Sequence, residues 1–266
     1  MGKINKLRLP ILFAALVLSL SIGQNLYSEI RTDPVRNRAN NCMKAIEAQD
    51  DGKKLVVKKI DTGKNTSLKE ARFLLEAQTQ EHTVDVLNWD VFNYRPKVGF
   101  RIGHTGTEIW LEYYVSEKSI RGVVARTNGS VHEDSCVEFF LSLDHVNYYN
   151  FEINCIGTKH VAYGPDRNNR KNIDPKILDA VRVDPSLGNQ PFEERTGSYN
   201  WKLLVIIPVS CFVYSDIKKL DGVKATANFY KCGDKTSPPH YLSWNPVHTK
   251  TPDYHRPEYF GQIYFD

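Results

Sequence analysis

Methionine is scarce in this 266-residue chain, and the five cysteines, at 42, 136, 155, 211 and 232, fall in no zinc-ligand spacing. The only methionines are Met1 and Met43, both ahead of the patterned sequence, which leaves no axial pair for a haem held between Met and His; no haem is expected. The eight histidines show no metal-ligand spacing either. Also missing are GxSxG, HExxH, a P-loop and a dinucleotide fingerprint, so the motif-bearing hydrolases, kinases and dehydrogenases have no support. No block of like charge is present. The formal charge is +4, but Lys3, Lys6 and Arg8 precede the apolar run Leu9–Ile22 without any acid; beyond residue 23 the chain holds 32 basic and 31 acidic residues. A near-neutral chain lacks the electrostatic footprint of a nucleic-acid partner.

There is no long hydrophobic stretch. The run Leu9–Ile22 has about 14 residues, short against the roughly 20 that span a bilayer. Its basic, apolar and small-residue order reads as a secretory signal peptide, cleaved after about residue 23 or after Ser28. Residues 1–28 are thus assigned to the signal peptide and cleavage region, and no stable membrane insertion is expected after cleavage. The mature chain is expected to be secreted or periplasmic. Residues 29–54, with RTDPVRNRANN and EAQDDGKK, carry turn formers and charge without a sustained period and read as a leader of low order.

What is present is alternation. LVVKKI reads as a strand, and Ser67 with Glu70 at capping-box spacing starts one short helix. From Val84 the period is two: Val98, Phe100 and Ile102 share a face, as do Ile109, Leu111, Tyr113 and Val115. The same holds for Val137, Phe139 and Leu141, for Phe151 and Ile153, for Trp201, Leu203, Val205 and Ile207, and for Ala225, Ala227 and Phe229; HYLSW and GQIYF follow. Short alternating strands punctuated by Gly, Pro, Asn and Asp predict an all-β fold, a two-sheet antiparallel β-sandwich of jelly-roll or immunoglobulin-like type over residues 55–266. The polar stretch Gly164–Glu194 predicts long loops around one strand near ILDAVRV. Parity sends Cys136 and Cys155 to opposite faces, so no disulfide between them is expected.

Alternation also places Glu138, Glu152, Asn154, Asn228 and Tyr230 opposite the core residues, on a face expected to be open. The C-terminal run from Asn228 interleaves Tyr, Phe and Trp with Asn, Asp, His, Pro and Gly. Aromatic faces amid fixed polar groups suit sugars. Tyr254, between Asp253 and His255, is predicted to be an exposed platform, and Trp244 a core residue or pocket wall. A glycosidase needs only two carboxylates, which Asp134, Glu138 and Glu152 supply without any fixed spacing, so a glycoside hydrolase or lyase on the same sandwich stays open. A protein-binding adhesion module is the other alternative.

LNWDVFN, TEIWLEYYVSE, HEDSCVEFFLSLD, YYNFEINCIGT, the Trp201 strand, NFYKCGD and LSWNPV with PDYHRPEYFGQIYF, taken in order from Val84 to Asp266, resemble the family 9 carbohydrate-binding modules of secreted bacterial proteins. The resemblance implies a non-catalytic sandwich that binds an oligosaccharide or polysaccharide, often beside a glycan-degrading enzyme, with structural calcium as a further family feature. Carried over by residue, the later of the family's two clamping Trp rings falls on Tyr254 and the earlier on Val131 or His132. The family's hydroxyl-binding Glu falls on Glu138, and its partner Arg on the next strand is Glu152 here. The ligand-binding set expected from pattern and resemblance together is Tyr254, Glu138, Glu152, Asn154, Asn228, Tyr230, His132 and Trp244.

Overall fold

The alternating runs form the strands. The structure, a computed structural model, describes residues 52–63 and 66–266; the signal segment 1–28 and all but residues 52–54 of the leader lie outside the described residues, as does Cys42. In chain order the strands are β1 (Lys54–Lys59), β2 (His82–Thr83), β3 (Val86–Leu87), β4 (Lys97–His104), β5 (Glu108–Gly122), β6 (Cys136–Ser142) and β7 (Tyr148–Asn154). They continue with β8 (Lys159–Gly164), β9 (Lys171–Asn172), β10 (Arg182–Pro185), β11 (Phe192–Pro208), β12 (Lys224–Gly233), β13 (His240–Ser243) and β14 (Gly261–Phe265). Two helices interrupt them, α1 (Leu68–Gln78) and α2 (Pro175–Leu178). Helix α1 starts where the capping signal stands, the Ser67 hydroxyl accepting from the Glu70 amide at 3.2 Å. Around ILDAVRV only the second half is a strand. Asp174 caps the preceding turn and Pro175 occupies its first position, which turns Ile177 and Leu178 into helix.

The sheet is mixed and continuous, in the order β10-β11-β5-β4-β1-β14-β12-β6-β7-β8-β9. Two separate antiparallel sheets were expected; instead β1 joins the halves, pairing parallel to β14 through Lys54–Val57 and parallel to β4 through Lys58–Lys59. The joined sheet curls. Strands β4 and β12 are three steps apart along it, about 14 Å if it were flat, yet Phe100 and Phe229 stack with ring centroids 3.9 Å apart.

The concave interior takes the residues that alternation assigned to it. Val98, Phe100, Ile109, Leu111, Val137, Phe139, Phe151, Ile153, Trp201, Leu203, Val205, Ala227, Phe229 and Phe265 belong to one buried cluster. Burying each large apolar side chain stabilises by about 1.5–3 kcal/mol, so this cluster dominates the fold. Helix α1 covers a smaller cluster that includes Ile60, Leu75, Trp110 and Leu204. The outer face of β6, β7 and β12 is a correction to the open face expected: every residue of β6 and β7 is buried. A third cluster lies over it, in which Cys136, Phe140, Tyr148 and Tyr230 meet Trp89, Val247, Tyr254 and Phe260. The C-terminal loops form this cover. Asn228 fastens them from the strand side, donating to Asn245 O at 3.0 Å and accepting from the Asn245 amide at 2.9 Å.

Candidate functional site

The registers of four strands carry one row of side chains across the outer face: Tyr230 on β12 pairs with Glu138 on β6, Glu138 with Glu152 on β7, and Glu152 with His160 on β8. Alternation puts all four on the same side. Where the cover of loops stops short of this row, a cavity of about 220 Å³ remains. Its floor is Glu138, Glu152, His160 and Cys232, and its walls are Asn128, Ser130, His132, Arg167, Arg170, Asp234, Tyr241, Asp253, Tyr254 and His255.

Each wall is held by a local device. His132 sits in a short 3-10 turn, Val131–Glu133, beneath which Asp134 ties down the chain: its Oδ2 accepts from the Val124 amide and from Asn154 Nδ2, both at 2.8 Å, and Arg121 pairs with Oδ1. Gly164 lets the next loop return against β8, because a Cβ there would lie 2.2 Å from Asn169 O and 2.8 Å from the Arg170 Cα. That return delivers Arg167 and Arg170. Arg167 is fixed on Asp253 at 2.9 Å, while Arg170 Nη1 lies 3.7 Å from Glu152 Oε1. The ring of Tyr254 lies on that of Tyr230, centroids 4.0 Å apart, and its hydroxyl donates to Lys231 O and Leu242 O at 3.1 Å. His255 meets the Tyr148 hydroxyl through Nδ1 at 2.9 Å.

The two carboxyls of the floor face different surroundings. Burial pushes Glu138 up, and the charge of Glu152 adds to that rise; among the described residues Glu138 makes no ion pair with a basic side chain. For Glu152 burial acts in the same direction, but His132 at 3.8 Å, with Arg170, outweighs it and holds the carboxyl down. Contact with Glu152 raises His132 to about 9. The pocket therefore sets a carboxyl that burial makes harder to ionise, Glu138, beside one that two basic side chains hold ionised, Glu152. Two buried polar atoms of the lining have no hydrogen-bond partner, Arg170 Nη1 and His160 Nδ1. Unpaired buried groups of this kind are costly, and a hydroxylated ligand would satisfy them.

Of the eight residues expected at the site, the fold brings His132, Glu138, Glu152 and Tyr254 to the cavity and keeps four away from its lining. Asn154 is spent beneath it, donating to Asp134 and Val124 O. Asn228 pins the cover, Tyr230 lies under Tyr254, and Trp244 packs edge-on against Phe229 in the interior. Tyr254 is not the exposed platform expected: it is 6% exposed, because the cover folds its ring onto Tyr230 and Trp89. Val131 is wholly buried, so of the two positions proposed for the earlier ring only His132 reaches the opening. Resemblance led to an arginine at the position of Glu152; the arginine found beside that carboxylate is Arg170, which enters from the β8–β9 loop. Pattern missed Arg167, Arg170, Tyr241 and His160; PDRNNR reads as plain turn chemistry, and only Gly164 hints at a close return.

Residues 69–265 match the family model described as carbohydrate-binding family 9. The chain belongs to that family. A candidate carbohydrate-binding protein from Bacteroides uniformis ATCC 8492, known from its crystal structure, is 42% identical; the alignment covers 81% of this chain and 100% of that one, with a TM-score of 0.79. A family 9 module from Caldicellulosiruptor kristjanssonii, solved in complex with cellotriose, is 11% identical over 80% of this chain and 94% of its own, with a TM-score of 0.50, a likeness of fold. Among curated proteins none matches the chain. Family 9 membership accounts for a mostly β chain built on a curled mixed sheet.

Proposed function

We propose that this family 9 chain is an exported, non-catalytic protein that binds a saccharide in the cavity over Glu138 and Glu152, in support of glycan degradation or uptake beside a partner enzyme. The observation that carries this reading is the cavity lining. Paired carboxyls and unsatisfied Arg170 and His160 atoms stand beside the half-buried ring of Tyr241, which is the mixture of aromatic face and fixed polar partners that a sugar requires. The 42% identical relative is a candidate carbohydrate-binding protein, and the module from Caldicellulosiruptor kristjanssonii holds cellotriose. A cavity of about 220 Å³ is below the roughly 300–1,000 Å³ of drug-sized sites and suits a terminal sugar better than the middle of a chain. On this reading residues 55–266 work as one β domain behind a cleaved signal peptide, in the secreted or periplasmic space.

Calorimetry against a glycan panel tests the proposal. An intact glycan is expected to bind, and Arg170→Ala and Tyr241→Ala are each expected to weaken it by about 1–3 kcal/mol, the scale of a lost charged hydrogen bond or stacking contact. Wild-type melting behaviour in the two variants would assign the loss to the site. New reducing ends in the incubation would make the protein a glycosidase, and a panel without any binder would overturn the reading.

A further inference from the structure

The four cysteines in the described residues are all buried thiols without a disulfide, and two of them meet at the cavity floor. Cys136 on β6 stands directly opposite Cys232 on β12, and both belong to the outer cluster. Glu138, two residues along from Cys136, points the same way. Its Oε1 lies 3.0 Å from Cys232 Sγ, and the two sulfurs and a Glu138 oxygen all lie within 4.8 Å of one another. Spacing along the chain conceals this group, since 96 positions separate the two cysteines; cross-strand register creates it.

We propose that Cys136, Cys232 and Glu138 form a binding site for one thiophilic divalent cation of the zinc type, with a fourth coordination position open to the cavity. The ligand chemistry selects the class: two sulfurs and one oxygen suit a borderline-soft ion, whereas calcium takes six to eight oxygens. The site is therefore separate from the structural calcium that family resemblance implies. The spacing also fits. With metal–sulfur bonds of about 2.3 Å and metal–oxygen bonds of about 2.1 Å, tetrahedral ligand atoms stand roughly 3.5–3.8 Å apart, so ligand separations between 3.0 and 4.8 Å adjust by about 1 Å, some opening and some closing.

An independent observation points to the same ion. Glu138 is 3% exposed and has no basic partner among the described residues, while the neighbouring Glu152 has His132 and Arg170. A buried carboxyl that no cation touches is costly to ionise, and a dication bound to it would supply a charge that His132, paired with Glu152, supplies only from a distance. Cys232 and Glu138 border the cavity, which provides the entry path; Cys136 lies beneath them as the inner ligand. Binding releases to solvent both thiol protons and the proton that the Glu138 carboxyl carries when un-ionised, because thiolates and a carboxylate are the ligands.

The test uses the full chain, stripped with a chelator and kept under a non-thiol reductant, titrated with Co²⁺ and then with Zn²⁺. The proposal expects a thiolate-to-cobalt charge-transfer band that saturates at one equivalent and is displaced by zinc. Cys136→Ser and Cys232→Ser should each weaken zinc by more than the about 10–100-fold that loss of an outer-shell partner costs. Glu138→Gln should weaken it less, and Cys211→Ser, in the interior cluster, should bind like wild type. Circular dichroism identifies any variant that fails to fold, and Glu138→Gln at the cavity floor then carries the comparison with Cys211→Ser. No stoichiometric band in the wild type, or equal loss in Cys211→Ser, would overturn the proposal. A peptide map joining Cys136 to Cys232 as a disulfide in protein recovered from its exporting host would do so as well. None of these readouts involves sugar, so failure of the saccharide reading leaves this result standing, and the converse holds.

Discussion

The two faces of the β6–β7–β12 segment are buried to the same degree by different means. The inner face closes against another part of the same sheet, as where Phe229 packs between Phe100 and Phe139. The outer face closes against irregular chain from residues 89–92 and 245–260, and it mixes Phe140 and Tyr148 with Glu138, Glu152, Asn150 and two thiols. Sheet-on-sheet packing needs only apolar alternation. A cover of loops must also satisfy its own backbone, so polar side chains such as Asn228 and Tyr254 are drawn inward to hold it. The gap that such a cover leaves is where the candidate site lies.

The largest expected effect tests whether the outer face is truly packed. Phe139 and Phe140 are neighbours pointing to opposite faces, both fully buried. Phe139→Ala and Phe140→Ala should each cost about 3–5 kcal/mol in denaturant unfolding. If Phe140→Ala costs less than about 1 kcal/mol while Phe139→Ala does not, the cover is loose and the outer face is open.

A second substitution sharpens the role of the cover. Tyr254→Ala removes a stacked, buried ring and should lower stability by about 2–4 kcal/mol, whereas Tyr254→Phe loses only the hydroxyl's bonds to Lys231 O and Leu242 O, about 1 kcal/mol. Chemical unfolding of the pair distinguishes a structural ring from a free platform, for which both changes would be near neutral.

Acid probes both faces through one histidine each. His240, on the interior side, is held neutral by burial and by Lys231, whose ammonium donates to its Nε2 at 2.7 Å; its pKa is well below 6.5. His255, in the cover, is pushed down to about 3 by burial and by Arg170. The unfolded chain takes up protons at both positions as pH falls through 6.5, and the native state does not. Stability is therefore complete above pH 6.5 and declines below it by about 1.4 kcal/mol per pH unit for each histidine, for His255 until about pH 3. Melting curves of the wild type and of His255→Asn between pH 7 and 5 should differ in slope by one such contribution. Parallel slopes would mean that His255 already titrates freely in the native cover.

The smallest effect concerns the loop return at Gly164. Gly164→Ala should displace the 167–170 segment, because its Cβ would strike the backbone of Asn169 and Arg170. Saccharide affinity is expected to fall by about 1 kcal/mol with the loss of one well-placed arginine contact, and the melting point to fall as well, because the clash is with backbone. Unchanged affinity would show that Arg170 lines the cavity without serving it.

The sequence by itself determined the long strands, their inward residues and the separation of Cys136 from Cys155, because a period of two depends only on neighbours along the chain. It also determined that Glu138 and Glu152 point away from the core, since each stands opposite inward residues of its own strand. Tertiary structure alone decided that this face is covered, that Tyr254 lies flat against Tyr230, and that Arg170 reaches Glu152 from the β8–β9 loop. It alone joined the strands into one curled sheet through β1, and brought Cys232 beside Cys136 and Glu138. Those outcomes depend on which strands pair and where long loops land, contacts between residues up to two hundred positions apart that no local pattern encodes.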